Sequence, residues 1–349
     1  MAYVPILKGK KGEFLALKHA SAEVRSRIRP VMELVPHPGA RDLLTIFCDQ
    51  AVESVPKGMV LTVDCGALPM PSARQSNVSG GPMTRVGESL GQGQVAMCPV
   101  FRITDTGEQL DEVAAVMAWH EQGGCLRIPS ADLSRDLADG ERFRELLAAL
   151  QAEPGEIDLV IDAGSVRSED RRHALAGEIT QALEWLAEWP WRRVCVAAGA
   201  FPVNLTGFPR GRATPVKRED ALLWEQVAET WNGGALDFAD YGVTHPRMPV
   251  QSRGAPHPNL RYTVDTDWQV FVYAKVRPGN DDFFVLSRDL VESPYWPSTG
   301  GATSWGDARV LECAQRQRAK AGGGTEWRAW ATSHHLAVVT SRLAATGRP

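Results

Sequence analysis

The sequence predicts an α/β fold, a closed (β/α)8 TIM-type barrel over residues 1–246 followed by a smaller α+β C-terminal unit. Three observations predict it. Short apolar runs recur about every thirty residues, and stretches of helical periodicity separate most of them. No Gly-x-Gly-x-x-Gly follows the first run, which disfavours an open dinucleotide-binding sheet.

The eight runs are Val4 to Lys8, Pro30 to Val35, Val60 to Asp64, Cys98 to Ile103, Cys125 to Ile128, Leu159 to Asp162, Val194 to Ala198 and Leu236 to Tyr241. They are short, rich in β-branched residues and flanked by Gly or Pro, as strands buried on both faces of a parallel sheet are. Between them, Glu13 to Arg27 sets Phe14, Leu17 and Val24 on one stripe, and Arg41 to Val55 sets Leu44, Phe47 and Ala51 on another. Further helices fit Glu108 to Glu121, Leu133 to Gln151, Glu169 to Trp189 and Glu219 to Trp231. The stretch from Gly66 to Gln94 is rich in Gly, Ser and Pro and offers only a short helix around Thr84 to Leu90.

After Pro246 the character changes. Residues 247–260 read as a Pro-rich linker, and 261–349 as an aromatic-rich α+β unit. In that unit Arg261 to Lys275 alternates as a strand, Phe283 to Ser287 reads as another, and Asp307 to Lys320 as a helix with Asp307 capping it. A last segment ends near Val339.

The 349 residues suit a barrel plus an addition, and 44% hydrophobic with 23% charged residues is an ordinary globular composition. The net charge of −4 gives no global attraction for nucleic acid or anionic lipid, so either would need a local basic patch. Six scattered cysteines without a Cys-x-x-Cys pair read as buried thiols in a reducing cytoplasm. No leader or membrane-spanning run is legible, so a cytoplasmic chain with no membrane partner is the expectation.

In such barrels, chemistry sits where strands end and βα loops begin. Lys8 closes the first strand and Lys10 follows it; Glu33, Asp64, Arg102, Arg127, Asp162 and Asp240 come late in the second to sixth and eighth, with Tyr241 beside the last. Alternation puts Val31 with Glu33, Thr62 with Asp64, Val100 with Arg102, Val160 with Asp162 and Phe238 with Asp240 on common faces, expected inward. Lys8, Glu33, Asp64, Asp162 and Asp240 are the catalytic candidates, and Lys10, Arg102, Arg127 and Tyr241 the substrate-binding ones.

Carboxylates suit Mg2+, whereas the cations suit a phosphorylated or nucleotide-derived anion; metal-assisted phosphoester hydrolysis would use both. A carboxylate base working with a cation needs no metal. The competing reading is a structural ion-pair network that plugs the barrel end of a non-catalytic, binding or phage-defence scaffold. His334-His335, taken as strand neighbours, would face opposite sides. Trp327 and Trp330 read as core, Gly322 to Gly324 as a loop, and Arg210-Gly211-Arg212 as an exposed loop that could meet phosphate.

These residues resemble the beta-protein family of tailed phages and bacteria. The resemblance rests on Val4-Pro5-Ile6-Leu7-Lys8-Gly9-Lys10 with Gly12-Glu13-Phe14, and on Arg29-Pro30 through Glu33 and Pro36. It continues in Asp237 to Pro246, Arg261-Tyr262, Asp267-Trp268, Trp327-Arg328 and Ser333-His334-His335. It implies that Lys8, Lys10, Glu33 and the two histidines belong to a family pattern and that the chain is phage-related. It brings no established activity.

Overall fold

The computed structural model describes residues 1–36, 42–68, 80–247, 258–273 and 279–349, with the side chains of residues 135 and 136 also left undescribed. Parts of the expected long loop (69–79) and linker (248–257) therefore lie outside the described residues.

Eight parallel strands close a barrel: β1 (Tyr3–Leu7), β2 (Val31–Glu33), β3 (Leu61–Asp64), β4 (Met97–Phe101), β5 (Gly124–Pro129), β6 (Ile157–Ser165), β7 (Arg193–Gly199) and β9 (Leu236–Asp240). Closure comes from β1 pairing β9, with Val4 opposite Ala239. The eight runs read from the sequence are these eight strands. Alternation sorts each strand into two layers. Val4, Ile6, Val31, Val100, Cys125, Val160, Cys195, Ala197 and Ala239 form one cluster filling the barrel, while Leu7, Met32, Val63, Phe101, Leu126, Ile161, Val196 and Phe238 pack against the helices.

The helices are α1 (Lys11–Lys18), α2 (Ala22–Arg27), α3 (Leu43–Ser54), α4 (Pro82–Gln92), α5 (Glu108–His120), α6 (Glu141–Leu150), α7 (Glu169–Leu186) and α8 (Glu219–Ala228). The single helix expected over 13–27 is split because the Ser21 hydroxyl accepts the Val24 N–H and starts a new helix. The helix expected from Leu133 begins only at Glu141, after two 3-10 turns and Gly140 at φ +70°. In the third unit α4 extends the short expected helix to three turns, with Pro82 at its start and Met83, Val86 and Leu90 buried on one side.

Beyond β9 lie β10 (Asn259–Val264), β11 (Asp267–Val272), α9 (Phe283–Val291), α10 (Trp305–Ala314) and α11 (Gly324–Thr346). The strand expected over 261–275 is a hairpin turning at Asp265, whose φ of +47° an aspartate tolerates. A further strand, β8 (Ala213–Lys217), leaves the connection between β7 and α8 to pair with β11. Phe283 to Ser287, expected as a strand, is the start of α9: Phe283, Leu286, Ser287 and Leu290 are buried at helical spacing. The last segment is also helical.

α11 packs against α1, α2 and β1, and Arg348 just past its end approaches Glu225 of α8 at 3.8 Å. It thus fills the place of the barrel's eighth helix. Its Leu336 and Val339 are buried in the large barrel core, where each side chain contributes roughly 1.5–3 kcal/mol. Its first half, with Trp327 and Trp330, belongs instead to a second core with Phe283 and Tyr262. All six cysteines are buried and free. Among the described residues no helix is long and apolar enough to cross a membrane.

Candidate functional site

At the C-terminal end of the strands the inward register places charged side chains directly above the apolar filling. Lys8 follows Val4 and Ile6, Glu33 follows Val31, Asp64 follows Thr62, Arg102 follows Val100, Arg127 follows Cys125, and Asp162 follows Val160. They meet around the Arg127 guanidinium. Its Nη1 donates to Glu33 Oε1 at 2.8 Å and Asp64 Oδ2 at 2.6 Å; its Nε and Nη2 donate to Asp162 Oδ2 at 3.0 and 2.6 Å. Lys8 donates to Glu33 and to the Pro246 carbonyl, and Arg102 Nη2 to Asp64 at 2.5 Å.

Tyr241 completes the cluster. Its hydroxyl donates to Asp162 at 2.6 Å, and its ring lies 4.8 Å from Lys8 Nζ. The seventh strand, which ends without a charged side chain, makes room for it: a Cβ on Gly199 would stand 3.0 Å from the Tyr241 ring and 2.7 Å from Pro246. Three cations thus face three carboxylates, and Lys8, Asp64, Arg127 and Asp162 are all buried. A charge at such depth is tolerated only when paired, and these are.

Burial by itself would raise the Asp64 and Asp162 carboxyls. The charges of Arg102 and Arg127 outweigh it at Asp64, and Arg127 with the Tyr241 hydroxyl does so at Asp162, holding both below the usual carboxylate range. Burial pushes the Tyr241 hydroxyl well up against the opposing charge of Arg127, so it stays a protonated donor. One atom is left over: Arg102 Nη1 is buried without a hydrogen-bond partner among the described residues.

The carboxylates at the strand ends do not form an open cage. Glu33, Asp64 and Asp162 converge on a guanidinium that fills the space between them, and among the described residues no three His, Cys, Asp or Glu side chains are arranged to hold a metal ion.

Asp240 is not with them. The eighth strand has the opposite parity to that expected: Ala239 and Tyr241 face inward, while Phe238 and Asp240 face the helices. Asp240 accepts from Tyr3 Oη at 2.6 Å, the Gly242 N–H at 2.9 Å and Arg218 Nη2 at 3.2 Å, and lies 2.8 Å from His335 Nε2. Burial would raise it, but His335 and Arg218 bring it down to about 2. His335 also meets Thr263 Oγ1 at 2.7 Å, so this residue ties α11 to both the barrel and β10.

The two histidines lie on a helix, not a strand, yet still serve different partners. His334 bonds Asp307 Oδ2 at 2.9 Å and the Thr263 carbonyl at 2.9 Å, and stacks on Tyr262 at 3.7 Å. Asp307 is not the cap of α10; Ser304 is, accepting the Asp307 N–H at 3.1 Å, and the Asp307 carboxylate is buried against Tyr262, Ser304 and His334.

Lys10 also stands apart from the cluster. It lines a cavity of about 490 Å³ with Lys11, Arg261, Thr325 and Arg328, beside the barrel mouth and at the first turn of α11. Arg261 is fixed there by donating to the Val243 carbonyl at 2.7 Å and Asn259 Oδ1 at 3.2 Å, with Phe201 beneath its guanidinium at 4.7 Å. Glu13, buried next to the cavity, is 3.4 Å from Arg328 and partly offsets these charges. Burial and the charge of Arg328 lower both Lys10 and Arg261 from their ordinary values, the mark of cations crowded together.

Sequence reading missed Arg218, Arg261 and Arg328 as site residues. Arg218 opens a Glu- and Asp-rich helix start and reads as solvated, yet it is wholly buried. Arg261 and Arg328 had one signal, their presence in the quoted family segments.

Among solved structures the chain is similar to PhdJ bound to substrate intermediate, at 13% identity and a TM-score of 0.34 over 97% of this chain and 75% of that one. No curated protein matches. The model of the Beta protein family matches residues 3–341, and with that span the chain belongs to the Beta protein family.

Proposed function

We propose that this protein binds a small phosphorylated or nucleotide-derived anion at the C-terminal end of its barrel, in the cavity lined by Lys10, Arg261 and Arg328. One observation carries the reading: these cations and Lys11 line about 490 Å³ with no acid among the described lining residues, Glu13 standing behind Arg328 and Glu326 turned back to cap the start of α11. The Arg127 cluster, by contrast, pairs three cations with three carboxylates, and serves to hold the mouth rigid. Guanidinium forks and an ammonium in a half-enclosed site match a phosphate group, and the first N–H groups of α11 add the positive end of a 23-residue helix.

The test is calorimetric titration with phosphate, pyrophosphate and nucleoside mono-, di- and triphosphates. At least one should bind, and Lys10→Met should weaken it about tenfold or more, the loss of one charge-assisted contact of roughly 1.5–3 kcal/mol. Binding unchanged in Lys10→Met, or no binding by any of the panel, would overturn the proposal.

A second reading, in which the anion reaches the mouth cluster and is turned over there, has one observation in its favour, the unpartnered Nη1 of Arg102. It predicts that Arg102→Gln abolishes binding while Lys10→Met spares it.

A further inference from the structure

The opposite end of the barrel carries a charge pattern that no run of sequence displays. Arg25, Arg27 and Arg29, on α2 and the turn after it, come together with Arg192 and Arg193 at the start of β7. They line two cavities of about 400 and 530 Å³ that share Ser26, Arg29, Arg192 and Arg193 and therefore adjoin. The smaller one reaches the barrel floor at Thr62 and Cys98.

Two carboxylates on this face are already engaged. Asp158 accepts from Arg192 Nε at 2.7 Å, and Asp237 accepts the Ala2 N–H at 2.5 Å and lies 3.8 Å from Arg193. Arg27 has only a loose, exposed contact with Glu23 at 3.8 Å, and among the described residues Arg25 and Arg29 have no carboxylate partner. The groove is therefore net cationic on a chain whose overall charge is −4.

Trp191 lines the larger cavity. Its indole N–H is held by the Leu186 carbonyl at 2.9 Å, and its ring stacks on Trp189 at 5.9 Å, so it is a fixed aromatic surface beside the arginines. Arginines that track a phosphate backbone together with an aromatic on which a base can stack are the two elements of single-strand recognition.

We propose that this face is a binding groove for single-stranded nucleic acid, with the arginines on successive phosphates and Trp191 against a base. The groove lies at the barrel end opposite the anion cavity and stands independently of it. A duplex cannot offer unstacked bases to Trp191, and an anionic membrane, which could also draw on both the charge and the indole, is the third arm of the test.

The experiment is fluorescence anisotropy with a labelled 15-nucleotide single strand, its duplex, and phosphatidylglycerol vesicles, at several salt concentrations. Four phosphate contacts give a slope of log K against log salt of about −3 for a single strand. Arg25→Glu/Arg29→Glu should weaken binding tenfold or more and flatten that slope by about 1.4, whereas Lys320→Glu, exposed in the α10–α11 connection, should not. Both sites are solvent-facing, so an unchanged melting temperature checks that the variant is folded. No single-strand binding at low salt, unchanged binding in the double variant, or preference for duplex or vesicles would each overturn the proposal.

Discussion

Arg127→Met is the sharpest probe of the barrel mouth. The substitution keeps an unbranched side chain about as long as the arginine stem up to Nε, and removes the guanidinium that Glu33, Asp64 and Asp162 share. Lys8 and Arg102 remain, so three carboxylates then face two cations, and Asp162 is left with only Tyr241 and the Gly164 N–H. Breaking a buried ion pair by deleting one partner costs about 3–5 kcal/mol. For 349 residues, an unfolding entropy of roughly 0.7 kcal/mol/K turns that cost into a melting point lower by about 4–7 °C.

The pH dependence separates a lost charge from lost packing. In the native protein Asp64 and Asp162 are depressed, so their contribution is present above the unfolded carboxylate value and is lost only as pH falls through the lower folded values. In Arg127→Met burial dominates and the Asp162 carboxyl rises above its unfolded value, so the variant gains stability as pH falls from 8 toward 5. Thermal unfolding followed by circular dichroism at both pH values reads this directly. A deficit under 1 kcal/mol, or one equal at the two pH values, would refute the view that Arg127 is the counter-charge on which the cluster depends.

Asp220 is fully buried with its carboxylate 3.9 Å from Arg218, and burial raises its carboxyl to about 7 against the charge of Arg218. A raised carboxyl favours folding below the unfolded value and loses that contribution as pH climbs through 7, so Asp220→Asn should flatten the decline in melting temperature between pH 5 and 8; an undiminished decline would count against it. Gly306→Ala should cost about 2–3 kcal/mol by chemical denaturation, because the added methyl would strike the Trp330 backbone where α10 crosses α11; a neutral effect would mean that this crossing yields easily.

The barrel itself was legible because its signal is local. Strands such as Val60 to Asp64 and Val194 to Ala198 are short apolar runs whatever they touch, and the alternation within them already set Glu33, Asp64 and Asp162 on the inner faces. Lys8, Arg102, Arg127 and Tyr241 likewise stood at the right strand ends. Phe283 to Ser287 failed for the complementary reason: five apolar and small residues fit either period, and only Leu290, buried one turn further on, decides for a helix. Asp240 failed because strand parity slips by one residue without altering composition, and that slip moves a side chain from the barrel interior to the helix layer.

Sequence by itself determined the eight-stranded parallel fold, the charged ends of its strands and the family pattern, since periodicity and residue type are properties of the chain alone. Only the tertiary structure decided that Arg127 occupies the centre between the three carboxylates, that α11 serves as the eighth helix with His335 locked on Asp240, and that Arg25, Arg29 and Arg193 share one face. Each of these joins residues far apart in the chain. The partner of a buried charge is fixed by closure of the barrel and the cost of desolvation, neither of which leaves a trace in spacing.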